Sequence, residues 1–164
     1  MIRDLTPADL PSIEELLVEA TAEEAVFKAR IGCPQTLPAV LVRNVLLEAN
    51  WCDTAALGLF KDDYPVGIAA TLRDVWPCEE DGSFVIFVSA SQRRCGCGSE
   101  LLSAIGDRAV RLGITEIFTS LHPDHTSGFR FLISHAFDFR EDIVERIRRE
   151  PGLGLVPMTK RLRA

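Results

Sequence analysis

Hydrophobic and polar residues alternate at the start of the chain and then change to a helical spacing. Residues 2–5 alternate as in a short strand, and Thr6-Pro7 ends that pattern. Thr6 is a favoured N-cap residue, and a proline is tolerated at the first position of a helix. Helices are predicted over residues 8–20, 21–30 and 37–50.

The middle of the chain has the pattern of a strand meander. Two apolar runs, at 55–61 and 66–75, flank the turn-forming segment Asp62-Asp63-Tyr64-Pro65, which predicts a hairpin. Residues 83–88 are rich in β-branched and aromatic side chains, so they give the clearest strand signal in the sequence.

The remainder alternates between helical and strand periods. Residues 98–112 place apolar side chains on one helical face and end at Gly113, a common helix terminator. Strands are predicted at 114–121, 137–140 and 153–162, with a helix at 126–134. A meander followed by crossover helices predicts an α/β mixed sheet, and without a visible linker or repeat we expect one domain over residues 1–164.

Composition and charge narrow the classes of partner. With 47% hydrophobic and 26% charged residues, the chain is typical of a globular protein rather than a disordered one. Its net charge of −6 repels polyanions, so we expect an amine-bearing or cationic substrate and no nucleic acid. No run approaches ~18 apolar residues, which argues against a membrane span.

The five cysteines are an odd number, and the N-terminus lacks an apolar signal core. Reduced thiols and a cytoplasmic location are therefore expected. Cys95-Gly96-Cys97 has no second cysteine pair to complete a structural zinc site, so no metal is predicted.

A glycine-rich segment joins the 83–88 strand to the helix that follows it. Such a turn leaves backbone N–H groups aimed outward, where they can hold a pyrophosphate with help from the helix dipole. Gly96 and Gly98 permit close approach of a ligand, and Arg93 and Arg94 offer charge-assisted contacts. The Walker and dinucleotide patterns both fail, because no lysine follows the glycines and Leu101 occupies the third glycine position.

The spacing Arg93-x-x-Gly96-x-Gly98 resembles the arginine-x-x-glycine-x-glycine element of the GNAT superfamily of N-acetyltransferases. Residues 131–137 are similar to a degenerate form of that family's closing leucine-tyrosine-x-x-x-glycine-phenylalanine run. The resemblance implies a GNAT-like acyl-CoA N-acyltransferase fold, in which a central mixed sheet flanked by helices is splayed between two parallel strands. Acetyl-CoA would lie in that splay as co-substrate.

The resemblance also implies how the cofactor is held. Its pantetheine would pair with the strand ending at Val88, its pyrophosphate would lie on the loop amides, and an amide near Val88 would polarise the thioester carbonyl. The expected cofactor-binding residues are Val88, Ser89, Ala90, Arg93, Arg94, Cys95, Gly96, Cys97, Gly98 and Ser99.

Two positions depart from the family pattern. His125 stands where the family often has asparagine, and Leu132 stands where a tyrosine commonly protonates the leaving thiolate. His125 is a candidate acid or base, with a helix-capping histidine as the competing interpretation. Cys97 is interpreted as a small apolar residue facing the core and Cys95 as incidental, rather than as nucleophiles.

Acyl transfer to an amine also needs a base to take the amine's proton. Glu80 and Asp81 are the leading candidates, in an acidic loop that also holds Asp74 and Glu79. The competing interpretation is a solvated loop with no chemical role.

The sequence thus predicts an N-acetyltransferase in which an amine of a small molecule or protein attacks acetyl-CoA directly. The absent tyrosine keeps open a catalytically weak acyl-CoA-binding regulatory module. A third alternative is a homo-oligomer whose glycine turn is only structural. A homodimer is compatible with each of the three.

Overall fold

The computed structural model describes residues 1–31, 54–73, 82–139 and 156–162. Within these ranges the helices are α1 (Leu10–Ile31), α2 (Cys97–Arg111) and α3 (Thr126–Ser134). The strands are β1 (Ile2–Asp4), β2 (Thr54–Lys61), β3 (Tyr64–Arg73), β4 (Gly82–Val88), β5 (Glu116–Leu121), β6 (Asp138–Phe139) and β7 (Val156–Arg161). Short 3-10 turns at Pro7–Asp9 and Ala90–Gln92 precede α1 and α2.

The described strands form one mixed sheet in the order β1-β2-β3-β4-β5-β7-β6. Every neighbouring pair is antiparallel except β4 and β5, which run parallel. The α/β mixed sheet predicted from the sequence is therefore confirmed.

The parallel pair separates soon after it begins. β4 and β5 are paired at Gly82 with Ile117 and at Ser83 with Phe118, although β4 continues to Val88. The antiparallel pairing of β3 with β4, in contrast, follows β4 along its whole length. A wedge therefore opens between the carboxyl ends of β4 and β5, which is the splay that the resemblance implied.

Helices cover both faces of the sheet, and β2 shows why the central strands are almost continuously apolar. Ala55, Leu57 and Leu59 lie in the core cluster that includes the apolar face of α2. Ala56 and Phe60 lie in the cluster formed with α1. Because successive side chains of a strand point to opposite faces, both faces of β2 are buried.

The N-terminal junction is held by ion pairing and a partial capping box. Both the N–H and the hydroxyl of Thr6 donate to Oδ2 of Asp9, at 2.8 and 2.9 Å. The guanidinium of Arg3 donates to both carboxylate oxygens of Asp9. The Arg3 hydrogen bond is the main reason that the pKa of Asp9 lies well below its usual range.

One helix boundary differs from the prediction. The segments 8–20 and 21–30 are not separate helices, since α1 runs continuously from Leu10 to Ile31 after the 3-10 turn. No glycine or proline stands near residue 20 to end the helix. The predicted helix at 37–50 lies outside the described residues. The other predicted elements from 55 to 140 appear with ends shifted by at most two residues where the chain is described.

Candidate functional site

The connection from β4 to α2 lies at one side of the wedge and turns sharply twice. Arg94 has φ +65° and Gly96 has φ +86°, both in the left-handed region. A Cβ built on Gly96 would meet nothing within 4 Å, so steric crowding does not explain the glycine. Its positive φ does, because glycine adopts this conformation more readily than other residues. The chain can therefore enter α2 directly at Cys97.

The N-terminus of α2 has no side-chain cap. Gly96 is its N-cap, and the first intrahelical bond runs from the Glu100 N–H to the Gly96 carbonyl oxygen at 3.0 Å. Within the described ranges, no hydrogen bond is recorded to the N–H groups of residues 97–99. These amides point out of the helix at the positive end of its dipole, which is suitable geometry for an anion.

The two arginines of the loop lie in different environments. Nε of Arg93 donates to the Val88 carbonyl oxygen at 2.8 Å, and its guanidinium lies 5.4 Å from the centre of the Phe87 ring. Arg93 thus holds the loop against the end of β4. Arg94 is exposed and adds positive charge at the edge of the loop.

Two side chains from distant elements also hold this loop. Oε1 of Glu19, on α1, accepts the Ala90 N–H at 2.8 Å. Nζ of Lys61, at the end of β2, donates to Oε1 of Gln92 at 3.1 Å. Sequence reasoning missed both residues, because they are 71 and 31 positions away from their partners and carry no local signal.

The first turn of α2 also packs against α3. A Cβ added at Gly98 would lie 3.2 Å from the Phe131 ring, so a larger side chain would have to displace the ring or move outward. Nε2 of His135 lies 2.9 Å from Oγ of Ser99, and Nδ1 of His135 lies 2.8 Å from the Phe131 carbonyl oxygen. His135 therefore joins the end of α3 to the start of α2.

On the other side of the wedge, β5 leads into α3 through His122 and His125. His125 is the N-cap of α3, and its Nδ1 accepts the Gly128 N–H at 2.9 Å. His122 is buried, and its Nδ1 lies 3.2 Å from the Asp124 backbone nitrogen. The helix-capping interpretation of His125 accounts for Nδ1, so any acid–base role falls to Nε2.

Residues 131–137 match the closing run of the family in backbone conformation, but they lack its tyrosine hydroxyl. Ala136 stands where the family has glycine, and it adopts the positive φ of +60° that explains a glycine there. Leu132, at the tyrosine position, is 2% exposed within the core. This position contributes packing and no proton donor.

The other predicted site residues divide into two groups. Cys97 is 2% exposed and belongs to the core, and burial is the main reason that its pKa is raised. This agrees with its interpretation as a small apolar residue. Glu80 and Asp81, like Asp74 and Glu79, lie outside the described residues.

Comparison with solved structures identifies the fold, whereas no family model and no curated protein matches the chain. The GNAT domain of S. lividans PAT has a TM-score of 0.75 at 15% identity, covering 98% of this chain and 89% of that one. PaiA N-acetyltransferase from Thermoplasma acidophilum, in complex with coenzyme A, has a TM-score of 0.69 at 16% identity and 98% coverage of both chains. YncA from Salmonella typhimurium, with acetyl-CoA, has a TM-score of 0.69 at 16% identity, covering 100% and 94%. The chain therefore has the fold of the GNAT superfamily.

Among the described residues, none of the helices is both long and apolar enough to cross a membrane. The same residues contain no cluster of three or more histidine, cysteine, aspartate or glutamate side chains placed to hold a metal ion.

Proposed function

We propose that the protein is an N-acetyltransferase that transfers the acetyl group of acetyl-CoA to an amine. The observation that carries this proposal is the uncapped start of α2, which lies beside the wedge between β4 and β5. Solved proteins of the same fold include complexes with coenzyme A and with acetyl-CoA. Uncapped amides at a helix N-terminus are suited to a diphosphate, and a wedge between strands is suited to a pantetheine chain.

The proposed cofactor seat has three parts. The end of β4 with Ser89 and Ala90 would face the pantetheine, and the amides of residues 96–99 would hold the diphosphate. Arg94 would contribute charge, while Arg93 would keep the loop in register through its bond to Val88. Cys95 and Cys97 would contribute backbone N–H groups.

The proposed chemical steps use residues on both sides of the wedge. Glu80 or Asp81 would take a proton from the acceptor amine, an assignment that comes from the sequence alone. His125 would donate a hydrogen bond to the leaving thiolate, while the proton itself would come from water. Because its Nδ1 accepts the Gly128 N–H, the neutral ring carries its hydrogen on Nε2, the atom that would make this hydrogen bond.

The acceptor is proposed to be a cationic small molecule or a protein amino group. The net charge of −6 favours a positively charged partner and disfavours nucleic acid. A cytoplasmic location and a homodimer are predictions that accompany this proposal.

A thermal-unfolding series with acetyl-CoA tests the cofactor seat. At ~100 times its dissociation constant the ligand should stabilise the fold by about 2.7 kcal/mol, and release of free thiol with a panel of amines should reveal turnover. An unchanged unfolding temperature at millimolar acetyl-CoA would contradict the proposal and favour a purely structural glycine turn.

One observation favours a second candidate, a catalytically weak acyl-CoA-binding regulatory module. The buried Leu132 leaves the family's usual acid position without a hydroxyl. Tight coenzyme A binding in calorimetry, with no thiol release on any amine, would favour this candidate over the enzyme.

A further inference from the structure

Two cysteine side chains meet inside the proposed cofactor loop. Sγ of Cys95 and Sγ of Cys97 are 3.6 Å apart, with Gly96 as the only residue between them. Cys95 is exposed and Cys97 is buried at the start of α2. The pair therefore has one thiol that a solute can reach and a second thiol directly behind it.

The surroundings favour reaction at the outer sulfur. Sγ of Cys95 is exposed and donates to the Gln92 carbonyl oxygen at 2.7 Å, with Nζ of Lys61 3.9 Å away. Burial, the largest cause, raises the pKa of Cys97, so the inner thiol ionises less readily. Cys95 is suited to attack first and Cys97 to attack second.

The backbone between the sulfurs can move. Gly96 has no side chain, adopts a positive φ, and has open space where a Cβ would lie. A disulfide needs an S–S distance of about 2.05 Å, so the sulfurs must approach each other, by rotation of the two side chains and by movement of the Gly96 peptide between them. The space beside the Gly96 Cα is empty, so no neighbouring side chain blocks this movement on that side.

We propose that Cys95 and Cys97 form a reversible disulfide by exchange with a low-molecular-weight disulfide, and that this bond closes the acetyl-CoA seat. The Cys95 thiolate attacks one sulfur of the reagent and expels one thiolate, which leaves a mixed disulfide on Cys95. The Cys97 thiolate then attacks Sγ of Cys95 and expels the second thiolate. The two protein thiols lose two electrons and two protons, and the reagent becomes two thiols.

The effect on the ligand rests on the proposed function. The amides of Gly96 and Cys97 belong to the proposed diphosphate seat, and the disulfide would shift them by an amount comparable to the tolerance of a hydrogen bond. Loss of one or two charge-assisted hydrogen bonds would weaken acetyl-CoA binding by at least ~10-fold.

Peptide mapping tests the disulfide itself. Trypsin cleaves after Arg94 and Arg108, so both cysteines fall on one peptide, residues 95–108, while Cys33, Cys52 and Cys78 fall on others. After incubation of the full chain with oxidised glutathione and alkylation of remaining thiols, this peptide should be unalkylated, about 2 Da lighter than its dithiol form, and restored by dithiothreitol. Persistent glutathione on Cys95, or two alkylated cysteines, would overturn the inference.

A second measurement tests the consequence for the ligand. Acetyl-CoA affinity is compared before and after oxidation, within each protein, for the parent chain and Cys95→Ser, which lacks the thiol that attacks first. The ratio should be at least ~10 in the parent and ~1 in Cys95→Ser. A ratio of 1 in the parent, with the disulfide formed, would overturn the closing of the seat. If the reduced parent does not bind acetyl-CoA, the proposed function and the ligand effect both fail, while the disulfide is still decided by mass.

Lys61 offers a matched kinetic test. Lys61→Gln removes the ammonium that lies beside the two thiols and should slow disulfide formation by ~3- to 10-fold. Lys160→Gln, on β7, changes the net charge equally and should leave the rate unchanged. Equal rates for both variants and the parent would show that the ammonium does not assist the outer thiol.

Discussion

Two strand-to-helix junctions border the wedge, and they use their helix amides in opposite ways. At the β4–α2 junction the N-cap is Gly96, which has no side chain to accept an amide. At the β5–α3 junction the N-cap is His125, whose ring accepts the N–H of Gly128. One junction keeps its donors available for a ligand, whereas the other satisfies one of them within the chain.

This difference shows what the proposed anion seat would require of a fold. Glycine at the N-cap costs only a few tenths of a kcal/mol relative to a side-chain cap, whereas alanine would cost about 0.5–2 kcal/mol. The loop of the β4–α2 junction is held by Glu19, Lys61 and Arg93, whose bonds go to groups outside the first turn of α2. The loop is thus kept in place while its helical amides stay open.

The largest predicted effect, a loss of acetyl-CoA affinity, comes from placing a large side chain at the β4–α2 junction. Gly98→Trp should lower acetyl-CoA affinity by more than ~100-fold, because the indole must either push against Phe131 or cover the amides. Calorimetry on protein shown to be folded by circular dichroism measures this loss. Gly106→Ala is the control on the same helix, since its Cβ would meet Leu162 at an ordinary 3.7 Å. A folded Gly98→Trp protein that binds as the parent does would place the seat elsewhere.

At the capped junction, two substitutions of His125 separate capping from hydrogen bonding to the leaving sulfur. His125→Asn keeps a side-chain acceptor for the Gly128 N–H but removes the Nε2–H that would hydrogen-bond the leaving sulfur, so kcat should fall by ~100-fold with little change in stability. His125→Ala should show the same fall in kcat and a further loss of about 1 kcal/mol in unfolding free energy. Steady-state kinetics and urea denaturation measure the two effects. If His125→Asn kept the kcat of the parent, His125 would serve only as the N-cap of α3 and would have no role in the reaction.

A smaller effect on acetyl-CoA affinity is expected from removing the hydrogen bond that joins α1 to the loop of the β4–α2 junction. Glu19→Ala removes the acceptor of the Ala90 N–H and should weaken acetyl-CoA binding by ~3- to 10-fold. Glu19→Gln retains an oxygen acceptor and should lie between that variant and the parent. If both variants bind as the parent does, the loop does not depend on α1.

The smallest effect concerns backbone strain at Arg94. Glycine adopts its φ of +65° without the steric cost that a Cβ incurs, so Arg94→Gly should be more stable than Arg94→Ala by about 1 kcal/mol. Both variants lose the guanidinium, so their acetyl-CoA affinities should fall together. Urea denaturation and calorimetry on the same two proteins compare these quantities. Equal stabilities would mean that this position relaxes when its side chain is shortened.

Much of this architecture was predictable because its causes are local. The periodicity of residues 98–112, the β-branched run at 83–88 and the glycines between them each express a preference over a few neighbouring residues. Those preferences determined the order of the elements, the mixed sheet and the glycine-rich helix start. The pattern divides helix α1 wrongly at residue 20, because its apolar face is weak, although no glycine or proline stands there to end the helix.

What the tertiary structure alone decided is which groups meet across long separations. Glu19 reaches Ala90, and Lys61 reaches Gln92 and Cys95. These contacts have no signal in spacing or composition, since each depends on how helices and strands pack against one sheet. The sequence by itself determined that a glycine turn opens a helix beside a strand end and that two cysteines flank Gly96; packing determined which distant side chains hold that turn in place.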